Sequence, residues 1–508
     1  MDLGAKRLAA ASNAGYADSP AGTRAYVVSL GKWVPASLLL IWVALLPRII
    51  PGTRSDRGIF ISVAERLLAG DILYLEVWDN KDPLFYYSLA LGRTISPYAD
   101  ILLELMWIVG SGIAVYVLAR KLGCDAPGAL FAAFGMTPLI LTGGLYLPGH
   151  THLPGTALVL LVMAATVSRR FAAAGFLLAI LAFMKLVMLP IALLLILTVI
   201  TLRKEWRALV PGSAGFALCA AALVGLMSAR GELFPYLQAQ VNNVSYSQGV
   251  LVDERWGSFV GHLMRVASID SVVIATAVAV AVVWVFAKDR RAGGTRPLER
   301  RGLVLWACAG SALVGALVVL GFTGMWDHHG QVLYVPAILV GVGAVHRFQP
   351  AFNVRSKFPV AALVGLAVVL SGPTAPLRYG GAALISGPRS LAALNDVSAE
   401  ARAVLSVAPS GTYARLGAND DDGHAYGLRD WTLACPRFQQ YAFDTAEVLE
   451  SLAECLPTAE VILLSPAAGP KEGDSTWNSY WAKVESTLQD GYACEKWQEE
   501  RICTRRDG

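Results

Sequence analysis

Apolar blocks of about twenty residues recur along this chain, separated by short basic turns, and that pattern decides its solvent. About 20 mostly apolar residues cross about 30 Å of hydrocarbon, and a lipid-embedded backbone must satisfy its own hydrogen bonds, here as helices. Such blocks lie near 31–50, 99–119, 127–147, 154–168, 208–228, 267–287, 302–322, 331–346 and 357–373. The block 171–202 is too long for one helix and is broken by Lys185 and Pro190. It reads as two short spans, 171–184 and 187–202, turning at the outer face. The expected fold is an α-helical polytopic membrane protein with about eleven transmembrane helices. Of 508 residues, 16% are charged, against roughly 25% in soluble domains. That excludes a soluble enzyme, a disordered protein and a disulfide-rich secreted module. The net charge of +4 is too small and dispersed to argue for a nucleic-acid partner.

Basic residues orient the spans. Lys6, Arg7, Arg24 and Lys32 precede the first, and Arg120 and Lys121, Arg169 and Arg170, Arg203, Lys204 and Arg207 fill alternate turns. The richest run, Lys288 to Arg301, falls on the same side, whereas 147–153 and 323–330 hold no Lys or Arg. A cytoplasmic N-terminus and an extracytoplasmic C-terminus follow, in a bacterial inner membrane. Residues 1–25 read as a cytoplasmic tail and not as a cleaved signal, because a polar stretch separates the first basic residues from the apolar run. Residues 26–374 form the membrane domain, with a first outer loop at 51–98 and a second long one at 229–265. Residues 375–508 form a small extracytoplasmic α/β domain.

Within the first loop, GIFISVAERLLA (58–69) places Ile59, Val63 and Leu67 on one stripe of an interfacial helix ended by Gly70. Pro83 opens a second helix, whose Phe85, Tyr86 and Tyr87 suit an aromatic belt. The second loop carries another interfacial helix around ELFPYLQAQVNNVSYSQG. The terminal domain alternates a strand at 413–418, a helix at 446–456, a buried strand at 460–466, a helix near 477–490 and a final hairpin. Four of the seven cysteines fall here, which suits two disulfides in an oxidising compartment: Cys494 with Cys503 across the hairpin, and Cys435 with Cys455. Four free thiols are the alternative. The spacing is not that of a zinc knuckle.

Ionisable groups at membrane depth are functional candidates. Asp56 stands in TRSDRG just after the first span, where local sequence alone supports a helix N-cap. Its surroundings say more. From Asp56 to Tyr87 the order is an acidic residue, a helix closing on Leu67-Leu68-Ala69-Gly70, Tyr74, then Trp78-Asp79-Asn80-Lys81-Asp82-Pro83-Leu84 before Tyr86-Tyr87. This set resembles the first outer loop of GT-C glycosyltransferases that use polyprenyl-phosphate sugars, among them protein O-mannosyltransferases, lipid A aminoarabinose transferases and actinobacterial arabinosyl- and mannosyltransferases. AAGFLLAILAFMKLVMLP around Lys185 and WDHHGQVLYVP (326–336) extend the likeness loosely over 55–345.

The resemblance implies a GT-C-like fold and transfer, with inversion, from a lipid-linked sugar to a glycan, lipid or protein acceptor. It implies Asp56 as catalytic base and Lys81, Lys185 and Arg57 as contacts to the departing phosphate, with Arg54 also in reach. Relatives carry a second acidic residue in the short loop before the fourth span, where this chain has LPGHTHLPG. The second catalytic or acceptor group is therefore open among Asp79, Asp82, His150, His152, Asp327 and His328. No cofactor or metal is expected, because a lipid-phosphate donor does not require an ion as a nucleotide sugar does. Two rival readings are a transporter or flippase of a lipid-linked sugar, expected to show repeats and broken mid-membrane spans, and a polysaccharide polymerase or ligase.

One substitution separates the readings of Asp56. Asn caps helices about as well as Asp, so Asp56→Asn leaves folding and donor binding unchanged if the residue only caps. A positioned base is worth about two to four orders of magnitude in turnover, and the same substitution should then remove that much. Transfer from a synthetic polyprenyl-phosphate sugar is the measurement, and near-normal turnover would end the base assignment.

Overall fold

The computed structural model describes residues 57–249 (save Pro97, Gly144 and Leu147), Gly261, 300–322 and 327–352. In the C-terminal part it describes 397–416, 427–437 (save Arg429), 446–465, 468–470, 475–497 and 500–506, with Ser398 left out. Asp56 and Arg54, the tail 1–25 and the spans expected near 31–50, 267–287 and 357–373 lie outside these residues.

The first loop holds α1 (Arg57–Ala69) and α2 (Pro83–Ile95). A long helix, α3 (Ala99–Leu122), follows and stops at Gly123, whose φ of +104° is the left-handed turn that ends helices without steric cost. The next apolar stretch, Ala126–Leu141, is α4 (Ala126–Phe131) and α5 (Thr137–Leu141) joined by a single π-turn. Then come α6 (His152–Val167), α7 (Phe171–Met184), α8 (Leu189–Arg203), α9 (Leu209–Ala229), α10 (Leu233–Gly249), α11 (Arg300–Phe322) and α12 (Tyr334–Phe352). Among the described residues, five helical stretches are long and apolar enough to cross a membrane, and three are shorter. The protein is a multi-pass membrane protein. The break expected inside 171–202 is present: α7 ends at Lys185, a 3-10 turn spans Leu186–Met188, and Pro190 sits in the first turn of α8, where its missing N–H costs nothing.

Small residues decide how closely the spans approach. α7 and α9 pack through Gly175, Gly212 and Gly215: a Cβ on Gly175 would lie 1.8 Å from the Gly212 carbonyl oxygen. Backbones at that distance leave room for hydrogen only, the usual device of helix pairs in lipid. α3 packs on α6, and α8 on α11.

The terminal part contains α13 (Ala399–Val407), β1 (Gly411–Leu416), β2 (Trp431–Leu433), α14 (Ala446–Cys455), β3 (Val461–Leu464), α15 (Ser475–Gly491), β4 (Tyr492–Trp497) and β5 (Glu500–Arg505). The strands form one sheet ordered β2-β1-β3-β5-β4, parallel across the first three and antiparallel thereafter. Cys435 pairs with Cys455, and Cys494 with Cys503 across the β4–β5 hairpin.

Residues 57–67 of α1 are all buried. The apolar stripe faces the membrane-domain core, and the charged side meets the terminal domain. Glu65 accepts the Gly427 N–H at 2.6 Å and Arg93 at 2.7 Å. Arg66 is held by Asp71 in a two-pronged ion pair and donates to the Trp431 and Leu428 carbonyls. Trp78 donates its backbone N–H to the Pro436 carbonyl at 2.9 Å, and the Arg437 guanidinium lies 3.6 Å from the centre of its ring. The loop helix is thus clamped from both sides.

Forcing a methyl group between α7 and α9 should be costly. Overpacking of this kind costs about 1–3 kcal/mol, so Gly175→Ala should lower the melting temperature of detergent-solubilised protein. An unchanged melting curve would show that the two helices separate readily.

Candidate functional site

Four segments distant in sequence converge at one end of the bundle: the first loop, the turn before α6, the Lys185 turn and α10. Asp82, the N-cap of α2, joins three of them. One of its carboxyl oxygens accepts the Leu186 N–H at 3.0 Å, and the other accepts the Tyr236 hydroxyl at 2.9 Å and the Gln240 amide at 3.4 Å. Burial raises the Asp82 carboxyl above the usual carboxylate range, while the Leu186 N–H, Lys185, Tyr236 and Lys81 oppose that shift. The loop before it is strained. Tyr74 adopts φ +67°, a region unfavourable for a side chain with a Cβ, and is held there by its N–H on the Val77 carbonyl and its hydroxyl on the Lys81 carbonyl at 2.6 Å. The loop is therefore shaped to present Lys81.

The lysines reach this point differently. The Lys185 side chain is 9% exposed and donates to the Thr151 hydroxyl at 2.7 Å. Its stem crosses Gly155, where a Cβ would come within 3.1 Å of it. Lys81 lies above the Phe60 ring, 5.8 Å from its centre, and donates to the Asn80 side-chain carbonyl, while the Asn80 backbone carbonyl accepts the Asn243 amide of α10 at 2.9 Å. The His150 ring packs edge-on to Phe60 at 5.9 Å. Burial, and then the charges of Lys81 and Lys185, push the His150 imidazole down to about 3. It is neutral at physiological pH, which leaves the lysines as the cations of the cluster.

Phe60 also lines a pocket between α1, α2 and α3. Arg57 lines it, ion-paired with Asp100, as does Glu104, which accepts the Tyr146 hydroxyl at 2.7 Å and the Gly149 N–H at 2.8 Å. The turn before α6 contains no carboxylate of its own and takes one from α3.

The sequence-derived candidates distribute unevenly. Lys81, Lys185, His150 and Asp82 come together. Arg57, expected beside the phosphate, is instead paired with Asp100 at the second pocket. Asp79 is sealed inside the loop and receives the Tyr86 hydroxyl. The His152 ring lies 5.3 Å from that of His329. Asp327 and His328 open the 3-10 turn Asp327–Leu333 before α12. Sequence reasoning missed Thr151, Tyr236, Gln240, Asp100 and Glu104. The last two had a signal: carboxylates four apart on one face at the start of an apolar helix.

His150 gives this cluster an acid sensitivity. In the unfolded chain it takes up a proton near the ordinary imidazole value of 6.5, in the folded chain only near 3, so stability falls as pH drops through that window. His150→Asn should flatten the fall in melting temperature between pH 6.5 and the acid limit; an unchanged slope would mean that other groups set it.

No protein-family model matches the chain, and no curated protein matches it in sequence. Its fold is similar to that of ArnT from Cupriavidus metallidurans, solved as a crystal structure bound to undecaprenyl phosphate. The TM-score is 0.53 at 14% identity, over 94% of this chain and 98% of that one. At this identity the likeness is one of architecture: a GT-C-like helical membrane fold with a small terminal sheet domain.

Proposed function

We propose that the chain is an integral-membrane glycosyltransferase that moves a sugar from a polyprenyl phosphate to an acceptor hydroxyl at the outer face of the membrane, with inversion. The observation that carries this reading is the pair of ammonium groups, Lys81 and Lys185, which both act on Asp82 and His150 where the spans meet the loops, with Lys185 on the Thr151 hydroxyl. A lipid phosphate presents its charge at that depth, and fixed cations there stabilise the charge that grows on it as it leaves. That ArnT, which shares the fold, holds undecaprenyl phosphate supports a lipid-linked donor.

In this reading Asp56, next in sequence to Arg57, takes the proton of the acceptor hydroxyl. The acceptor oxygen forms a bond to the anomeric carbon as that carbon's bond to the phosphate oxygen breaks, and the electron pair leaves with the polyprenyl phosphate. Attack opposite the leaving group inverts the centre. Lys185 and Lys81 bear the phosphate's charge, and Asp82 positions them through the Leu186 turn and its own place in the loop. In this reading the N-terminus is cytoplasmic and the loops and terminal domain are outside, as the distribution of basic turns favours. A transporter would be expected to place its charges near mid-membrane; here they gather at one end of the spans.

Lys185→Met keeps the stem over Gly155 and removes the charge. Affinity for undecaprenyl phosphate, measured on the full chain in nanodiscs, should fall about tenfold or more, as loss of a charge-assisted contact predicts. Affinity within about twofold of the parent would remove Lys185 from the phosphate site.

A further inference from the structure

We infer that the pocket between α1, α2 and α3 is the acceptor subsite and that it takes an uncharged sugar ring, with Glu104 and Asp100 receiving its hydroxyls; this rests on the glycosyltransferase reading above. The walls are aromatic: Phe60, Phe85 and Trp107 line the space. Aromatic faces pack against the C–H faces of a sugar, and carboxyl oxygens accept its hydroxyl protons.

The polar wall is incomplete by itself. Asp100 is 6% exposed. One of its oxygens takes the Arg57 guanidinium, and its Oδ1, buried, has no hydrogen-bond partner among the described residues. A buried acceptor without a donor is costly, and such groups in folded proteins mark a place for a further partner. Glu104 holds one donor on each oxygen, and each carboxylate oxygen has a second lone pair to offer. An occupant of this wall must bring donors.

Charge decides which donors. Arg57 is matched by Asp100 and, among the described residues, no other Lys or Arg lines the pocket, so a phosphate would lose its water there with no unmatched cation to compensate. A neutral polyol meets no such penalty. The phosphate belongs beside Lys81, whose ammonium lies 5.8 Å from the centre of the same Phe60 ring. One aromatic side chain thus borders an acidic pocket and a cationic cluster.

The test uses the full chain in nanodiscs and two probes: undecaprenyl phosphate, and a panel of water-soluble butyl pyranosides and furanosides followed by saturation-transfer NMR. At least one glycoside should bind saturably to the parent protein. Glu104→Gln should weaken it about tenfold, the worth of a hydrogen bond to a charged group. Ser88→Leu should do the same by filling the pocket. Ser88 lines it, and its hydroxyl bonds only within its own helix, to the Phe85 carbonyl, so this variant leaves the buried contacts of Glu104 alone. Undecaprenyl phosphate affinity should stay within about twofold in both. Saturable binding by no glycoside, or binding unmoved by both variants, overturns the subsite while the donor site stands. Loss of undecaprenyl phosphate binding in Ser88→Leu assigns the pocket to the lipid and overturns it equally. Failure of the parent to bind undecaprenyl phosphate defeats the transferase reading itself.

Discussion

Asp82 is a carboxyl group buried where three segments far apart in sequence meet, and such burial is unfavourable unless donors and cations compensate for the lost water. Here the compensation comes from outside its own loop. The backbone of the Lys185 turn, the Tyr236 hydroxyl and the Gln240 amide all donate to it, and both lysines act on it. Each donor therefore ties another segment to the loop. That carboxyl group also attracts the Lys81 and Lys185 charges and so opposes their mutual repulsion.

The same loop is braced from its other side. Glu65 and Arg66 stand on one turn of α1 and reach backbone groups of the terminal domain, while the apolar residues of that helix join the core of the membrane domain. A helix with one face on lipid would keep freedom to tilt. One packed on both faces holds Phe60 where it borders both the lysine cluster and the pocket. A catalytic constellation needs that kind of support, since small misplacements of reacting groups are costly in rate.

Much of the architecture was legible in the chain because lipid imposes a period of its own. The eight expected spans that fall within the described residues match helices to within a few residues, and the break at Lys185 and Pro190 is where a charge and a proline predict it. The terminal strands and helices follow from apolar periodicity, and the cysteines pair as their even count in one domain suggests. Lys81, Lys185 and His150 stood out because charge or imidazole at membrane depth is costly and demands an explanation.

By itself, then, the sequence determined the solvent and the helices, since both depend on local pattern and on the cost of transferring groups into hydrocarbon. Which charges face one another was decided by tertiary structure alone. Arg57 reads in sequence as a phosphate contact, and in the fold its guanidinium is matched by Asp100 forty-three residues on. Glu104 reads as an ionisable group inside a span, and folding brings it under the turn at Gly149. Thr151 and Tyr236 carry no signal in sequence, and they matter because Lys185 and Asp82 arrive beside them. Pairings of this kind depend on where helices cross, and helix crossings are set by packing over the whole length of the spans and not by the residues that end up in contact.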